Sequence, residues 1–148
     1  MSDRRLVLHR VARLLAGLWA GLLLGLGAIG APAGFAVTTV EIAGRSAGRM
    51  FAIEAYVSLV LAVTLLLLTR KLANAQTGQV SALNSYVLLV LGTLFCTIAG
   101  YFVILPMMVA ARADEGSLSF AALHGLSAGF FALKGLLVLW LAWRLTAH

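Results

Sequence analysis

Charged residues are scarce in this chain. They make up 11% of its 148 residues, whereas a soluble globular domain carries roughly a quarter. Hydrophobic residues make up 62%, so a water-soluble core is the wrong description. The net charge of +6 does not indicate a nucleic-acid-binding protein, because the basic residues are spread between long apolar runs.

Cysteine and the usual catalytic motifs are also missing. The single cysteine, Cys96, permits neither an internal disulfide nor a CxxC site. The sequence has no HExxH, GxSxG, phosphate-binding loop, CxxCH or pair of intramembrane aspartates. A haem held by two histidines within the bilayer is excluded because His9 and His148 are terminal and only His124 is embedded. We therefore expect no enzyme activity and no cofactor.

Four long apolar runs fill the sequence instead. A bilayer core needs about 20 apolar residues per spanning helix, and short charged patches separate four runs of that length. The sequence predicts an all-α integral membrane protein, a single domain over 1–148 that is a four-transmembrane-helix bundle with short loops. The predicted spans are 14–35, 50–69, 80–105 and 118–143, preceded by a basic arm over 1–13. The first run is too long for a signal peptide.

The basic residues predict the orientation of the bundle. Seven of them fall on one side of a four-span topology and three on the other: Arg4, Arg5, Arg10, Arg13, Arg70, Lys71 and Arg144 against Arg45, Arg49 and Arg112. The positive-inside rule then places both termini in the cytoplasm of a multi-pass protein, and we expect the bacterial inner membrane. The basic arm would contact anionic lipid headgroups.

Glycines recur at intervals of four in two spans. Gly17, Gly21 and Gly25 share one face of the first helix, and Gly125 and Gly129 share a face of the fourth. Small residues at this spacing let another helix approach closely. We expect these faces to be buried against protein, either within the chain or in a homo-oligomer or a complex with another membrane protein.

Ionisable residues inside a span are candidates for function. With helices rising 1.5 Å per residue, the predicted span ends place Glu54 and His124 at matching depths near the outer surface, with Tyr101 at a similar level and Ser127 extending the polar face. These residues predict a shared polar site in the outer half. Two simpler interpretations stay open, an ion pair of Glu54 with Arg49 or Arg112, and a packing role for His124.

Lys134 lies ten residues beyond His124, close to the midplane, where Glu54 is expected to be a poor partner. It is interpreted as neutral, as snorkelling along a groove, or as meeting another subunit. A soft-metal site is a further hypothesis, because thioether and imidazole ligands suit Cu(I). Its residues would be Met50, Met107, Met108 and His124.

Four segments of the sequence resemble one family. They are LWAGLLLGLGAIGAPAGF at 18–35, AGRMFAIEAYVSL at 47–59, YFVILP ending at Pro106, and FAALHGLS at 120–127. They look like the bacterial domain of unknown function 4149, which is related to the animal transmembrane-protein-205-like proteins.

The resemblance implies a four-helix membrane protein, and through the animal members it implies export or trafficking of soft-metal compounds. His124, Ser127 and Pro106 match the family pattern. Phe131 and Gly100 stand where the animal relatives carry asparagine.

Two functions follow as expectations. The first is a small membrane protein without enzymatic activity that acts as an accessory or assembly component through helix contacts within the bilayer. The alternative is a transporter or exporter of a small substrate or soft-metal compound that uses the outer polar site and would need to oligomerise. A closed apolar bundle favours the first, and a polar cavity reaching Lys134 favours the second.

Overall fold

A computed structural model describes residues 3–77 and 84–147 of the chain. These residues are almost entirely helical. The α-helices are α1 (Asp3–Leu24), α2 (Ala31–Val37), α3 (Val40–Thr77), α4 (Ser85–Thr97), α5 (Ile104–Arg112) and α6 (Phe120–Thr146), and two π-helical segments, Gly25–Gly30 and Ile98–Val103, join α1 to α2 and α4 to α5.

These elements form four continuous helical spans, each long and apolar enough to cross a membrane. The first is Asp3–Val37, the second Val40–Leu72, the third Ser85–Arg112 and the fourth Phe120–Thr146. The predicted fold class, an all-α membrane protein with four spanning helices, is therefore confirmed. We call the end with the connections 38–39 and 113–119 the hairpin end, and the end with both termini the terminal end.

The helices extend well beyond the apolar runs that predicted them. The first begins at Asp3, so the described part of the basic arm is helical, and the second begins at Val40, ten residues before its predicted start. Glu41 and Arg45 lie one turn apart with 3.7 Å between carboxylate and guanidinium, a pairing that supports an exposed helix. Charged residues thus end the apolar run without ending the helix. The predicted start of the third span, at about residue 80, lies outside the described residues.

The four spans pack in a ring. The second and fourth spans each contact both the first and the third, so they lie diagonally across the bundle from each other. Towards the terminal end the centre is an apolar core to which all four spans contribute, with Trp19, Leu65, Val90, Val138 and Leu141 completely buried. Any side chains joining the second span to the fourth must therefore meet on the central axis.

The two π-helical segments each precede a proline. Pro32 follows Gly25–Gly30, and Pro106 follows Ile98–Val103. Proline has no N–H to donate and its ring crowds the preceding turn, and a local shift to wider i to i+5 bonding is one way for a helix to accommodate it. The Ala31 N–H accordingly bonds to the Leu26 carbonyl, five residues back.

Candidate functional site: a buried ion pair on the bundle axis

Glu54 and Lys134 meet at the centre of the bundle. The Lys134 Nζ lies 2.8 Å from Oε1 and 2.8 Å from Oε2 of Glu54, so the ammonium bonds both carboxylate oxygens. The two side chains are only 4% and 2% exposed. The pair connects the second span to the fourth across the diagonal, which the apolar packing of neighbouring spans does not do.

The expectation that Glu54 is a poor partner for Lys134 is wrong, and the reason is helix length. Glu54 is fourteen residues after the first residue of its helix, Val40, and Lys134 is fourteen residues after the first residue of its own, Phe120. Both helices start at the hairpin end, so each residue lies about 21 Å along its helix at 1.5 Å per residue. The predicted start at residue 50 had placed Glu54 too close to the surface.

A hydrogen-bond chain holds the carboxylate from its other side. The Ser58 hydroxyl, one turn along the same helix, donates to Glu54 Oε1. The Trp19 indole N–H, from the first span, donates to Ser58 Oγ over 2.9 Å. Glu54 therefore has an oriented hydroxyl partner that does not depend on Lys134. The contact of Trp19 with Ser58 was not predicted, because nothing in the sequence pairs the two helices in that register.

The third span contributes small polar residues to the same interior, and their hydroxyls form hydrogen bonds within their own helix. Thr93 and Thr97 are buried, and their hydroxyls donate to carbonyls of their own helix, Val90 over 2.7 Å and Thr93 over 2.9 Å. Cys96, between them, is a buried free thiol. Among the described side chains, those of residues 3–72 and 84–147, no buried nitrogen or oxygen atom lacks a hydrogen-bond partner. The interior is polar but fully paired.

Aromatic rings flank the pair. Lys134 Nζ lies 5.1 Å from the centre of the Phe131 ring, within the range of a cation–π interaction. That ring packs edge-on against Phe51 of the second span, with 5.1 Å between ring centres. Gly27 of the first span also abuts it, since a Cβ at this glycine would lie 2.8 Å from Phe131 Cε1.

His124 lies outside this arrangement. Its side chain is exposed and stacks on Phe120, one turn back, with 5.8 Å between ring centres. Arg112 lies over the same Phe120 ring, 4.4 Å from its centre. The predicted shared site of Glu54 and His124 is therefore wrong, because Glu54 points to the axis and His124 points outward at the hairpin end. The pairing of Glu54 with Arg49 or Arg112 is wrong for the same reason.

Tyr101 and Ser127 take separate positions on the third and fourth spans. Tyr101 is half-buried and packs edge-on against Phe102. Ser127 donates its hydroxyl to the Gly100 carbonyl over 2.7 Å, which fastens the fourth span to the π-helical segment of the third. Gly100 is buried there, and a Cβ on it would lie 2.7 Å from Phe130 Cβ. A glycine at this position permits the close approach of the two helices.

The chain matches a known protein family. A family model described as Domain of unknown function (DUF4149) matches residues 14–117, about seven-tenths of the chain. The chain belongs to this family. No curated protein and no solved structure matches it.

The family match covers one partner of the ion pair. It includes Glu54, Ser58 and Trp19 and ends at residue 117, before the fourth span begins. Lys134 and the stretch 120–127, one of the four segments that resemble the family, lie beyond it. The matched range therefore contains the carboxylate and its hydrogen-bond chain, and it leaves out the ammonium.

The glycine repeats face away from the bundle. Gly17, Gly21, Gly25, Gly125 and Gly129 have no heavy atom of another helix within 4 Å of where a Cβ would lie. The first span instead buries Ala12, Ala16, Trp19, Ala20 and Leu23. The prediction that these glycine faces pack within the chain is wrong, because alanines at the same spacing take that role. Contact of the glycine faces with a second protein stays a prediction.

The soft-metal hypothesis also stays a prediction. Among the described residues no three His, Cys, Asp or Glu side chains form a cluster that could hold a metal ion. Met50 and Met108 are half-buried and Met107 is exposed, all towards the hairpin end. Two shallow depressions at that end are lined mainly by the loop 113–119, and neither includes a residue of the Glu54–Lys134 pair.

Proposed function

We propose that this protein is an accessory or assembly component of the bacterial inner membrane, without enzymatic activity of its own. Its role would be to pack against another membrane protein, or a second copy of itself, through helix faces inside the bilayer. The observation that carries the proposal is the contrast between a closed interior and open glycine faces on the outside.

The closed interior supports a structural role. Glu54 and Lys134 neutralise each other on the axis, Phe131 and Phe51 pack together beside them, and Trp19 fills the core on the terminal side. A transport path would need polar space along this axis. Side chains that pair with one another fill it in this conformation.

The outward glycine face supports a partner in the membrane. Gly17 and Gly21 are exposed on the first span, with Leu14 65% and Leu18 71% exposed beside them. Helix association in lipid depends on close packing rather than on a hydrophobic driving force, so small residues at this spacing favour a second helix. Membrane lipids cover the remaining surface, and both termini would face the cytoplasm by the positive-inside rule.

Photo-crosslinking tests the accessory role. A photoreactive amino acid at Leu18 should give a discrete crosslinked product in native membranes, which mass spectrometry identifies as a second copy or another membrane protein. Gly21→Leu should abolish the product, because the leucine side chain would prevent a second helix from approaching this face closely. The matched control is Gly135→Leu, which also has open space where its side chain would begin but lies outside any glycine repeat. If all three proteins crosslink equally, or Leu18 captures only lipid, the accessory role is wrong.

A transporter is the second candidate, and the buried ion pair favours it. Ionisable residues deep within a membrane are costly and generally mark substrate or ion pathways. The transported species would be a small substrate or a soft-metal compound, and four spans would require an oligomer. Cellular copper content, measured with wild-type protein, with Glu54→Gln and without the protein, tests it for the soft-metal class. Identical copper content in all three would contradict that form of the alternative.

A further inference from the structure

The Glu54 carboxylate is preorganised to bind a cation. Its backbone is in the middle of a 38-residue helix, and Ser58, itself held by Trp19, orients one carboxylate oxygen. Lys134, in contrast, reaches the carboxylate with a flexible four-carbon stem. The position of the Glu54 carboxylate is thus fixed by its hydrogen bonds, whereas the Lys134 ammonium is carried by a flexible side chain.

Stability alone is a poor explanation for this pair. Removing two charges from water is costly, and replacing a buried ion pair by apolar residues is often neutral or stabilising. Phe51 and Phe131 already pack beside the pair, and Leu65 and Val138 are completely buried in the adjoining core, so apolar replacements would have apolar neighbours. The presence of an ion pair on the axis therefore points to a use for the charges.

We propose that Glu54, Ser58 and the Phe131 ring form a binding site for a small ammonium-type cation, which the Lys134 ammonium occupies as a tethered ligand in this closed conformation. When the Lys134 side chain changes rotamer and its ammonium leaves the carboxylate, an external cation would take the place of that ammonium between the carboxylate oxygens and the ring. The proposal deepens the transporter candidate and rests on it only for movement of the cation across the membrane.

The ligand class follows from the chemistry of the site. Both carboxylate oxygens accept from one ammonium, each over 2.8 Å, and the ring centre lies 5.1 Å from the same nitrogen. One carboxylate and one hydroxyl give too few oxygen ligands for Ca²⁺, which takes six to eight, and the packed interior around the pair leaves no room for the waters that Mg²⁺ keeps. An ammonium group instead needs acceptors for its N–H bonds and gains from an aromatic face.

Chemical rescue tests the site directly. Lys134→Ala removes three methylenes and the ammonium, which together have the size of n-propylammonium. We expect the Tm of purified Lys134→Ala to be lowered and then raised saturably by n-propylammonium chloride, while the same concentration of sodium chloride leaves it unchanged. Wild-type protein, whose site is filled, should show little shift.

The matched control removes the receptor. In Glu54→Gln/Lys134→Ala the carboxylate is absent, so n-propylammonium should give no saturable shift. An equal shift in this double variant, an equal shift with sodium, or no shift in Lys134→Ala overturns the proposal. If Lys134→Ala is recovered only in aggregated form, the yield of monodisperse protein on extraction is measured in place of Tm. Monodisperse protein in n-propylammonium chloride but not in sodium chloride supports the site. Aggregated protein in both salts overturns it. Because these are binding measurements, a failure of transport would not produce the same result.

Discussion

Neutralising one partner of the buried ion pair should destabilise the bundle far more than neutralising both. Glu54→Gln leaves the Lys134 ammonium buried without a counter-charge, and Lys134→Met leaves the carboxylate in the same condition. Loss of one partner from a buried pair costs about 3 to 5 kcal/mol. We expect values near the lower limit, because unfolded helices in a micelle find substitute partners for their charges.

The double variant Glu54→Gln/Lys134→Met carries neither charge, and Ser58 can still donate to the amide oxygen at position 54. Its stability should lie within about 1 kcal/mol of the wild type, because an ion pair and an uncharged replacement are often equivalent. The coupling energy between the two sites would then be about 5 kcal/mol, above the range of roughly 0.5 to 3 kcal/mol typical of residues in contact.

Unfolding by sodium dodecyl sulfate in mixed micelles measures these free energies. In a Trp140→Phe/Trp143→Phe background, the tryptophan fluorescence comes from Trp19, which is completely buried and bonded to Ser58, and it reports the loss of packing around the site. His124→Gln is the control, since its exposed side chain should combine additively with Glu54→Gln to within about 0.5 kcal/mol. Single variants that each lose less than about 1 kcal/mol, or a double variant that loses their sum, would refute a paired charge on the axis.

Three further predictions test the packing and the topology. Gly100→Ala should lower the unfolding free energy by about 1 to 3 kcal/mol, because its Cβ has no space. Gly17→Ala faces open space and should raise the unfolding free energy by up to about 1 kcal/mol. Equal effects of the two substitutions would contradict the packing. Ser127→Ala should cost about 0.6 kcal/mol, the average for a hydrogen bond between helices in a membrane, in the same unfolding assay. Cysteines placed at Ser2 and at Ser46, in a background lacking the native cysteine, should label from opposite sides of the membrane in intact cells; labelling of both from outside would contradict the four-span topology.

Hydropathy was sufficient to predict four helical spans, but not where they end. Arg49 bounds the second apolar run, so that span was predicted to start at residue 50, yet the helix continues back to Val40. An ion pair one turn apart, such as Glu41 with Arg45, lets a helix leave the apolar region without breaking. Helix ends depend on such local pairs and on neighbouring loops, which an average of hydropathy does not record.

That error in the helix ends passed directly into the predicted site. Depths counted from residue 50 matched Glu54 to His124, whereas depths counted from Val40 match it to Lys134. The sequence correctly singled out Glu54 and Lys134 as ionisable residues within spans, because the cost of such residues in lipid makes them conspicuous. It could not identify their partners, since pairing depends on register and rotation between helices.

The glycine repeats show the same limit. Small residues at intervals of four mark a face that another helix can approach, but the sequence does not say which helix takes it. In the first span the alanines Ala12, Ala16 and Ala20 face inward, and the glycines face out. Trp19, between two of these alanines, lies on the inward face, where its ring packs in the core and its N–H donates to Ser58.

Exchanging the two charges tests the ion pair on the axis most directly. Glu54→Lys alone places two ammonium groups together, and Lys134→Glu alone places two carboxylates together, so neither variant should yield monodisperse protein from membranes. The exchange variant Glu54→Lys/Lys134→Glu restores opposite charges across the same diagonal, and its yield and elution volume should return close to those of the wild type. Single variants that fold normally, or an exchange variant that fares no better than either, would contradict a direct pairing of these residues at the centre of the bundle.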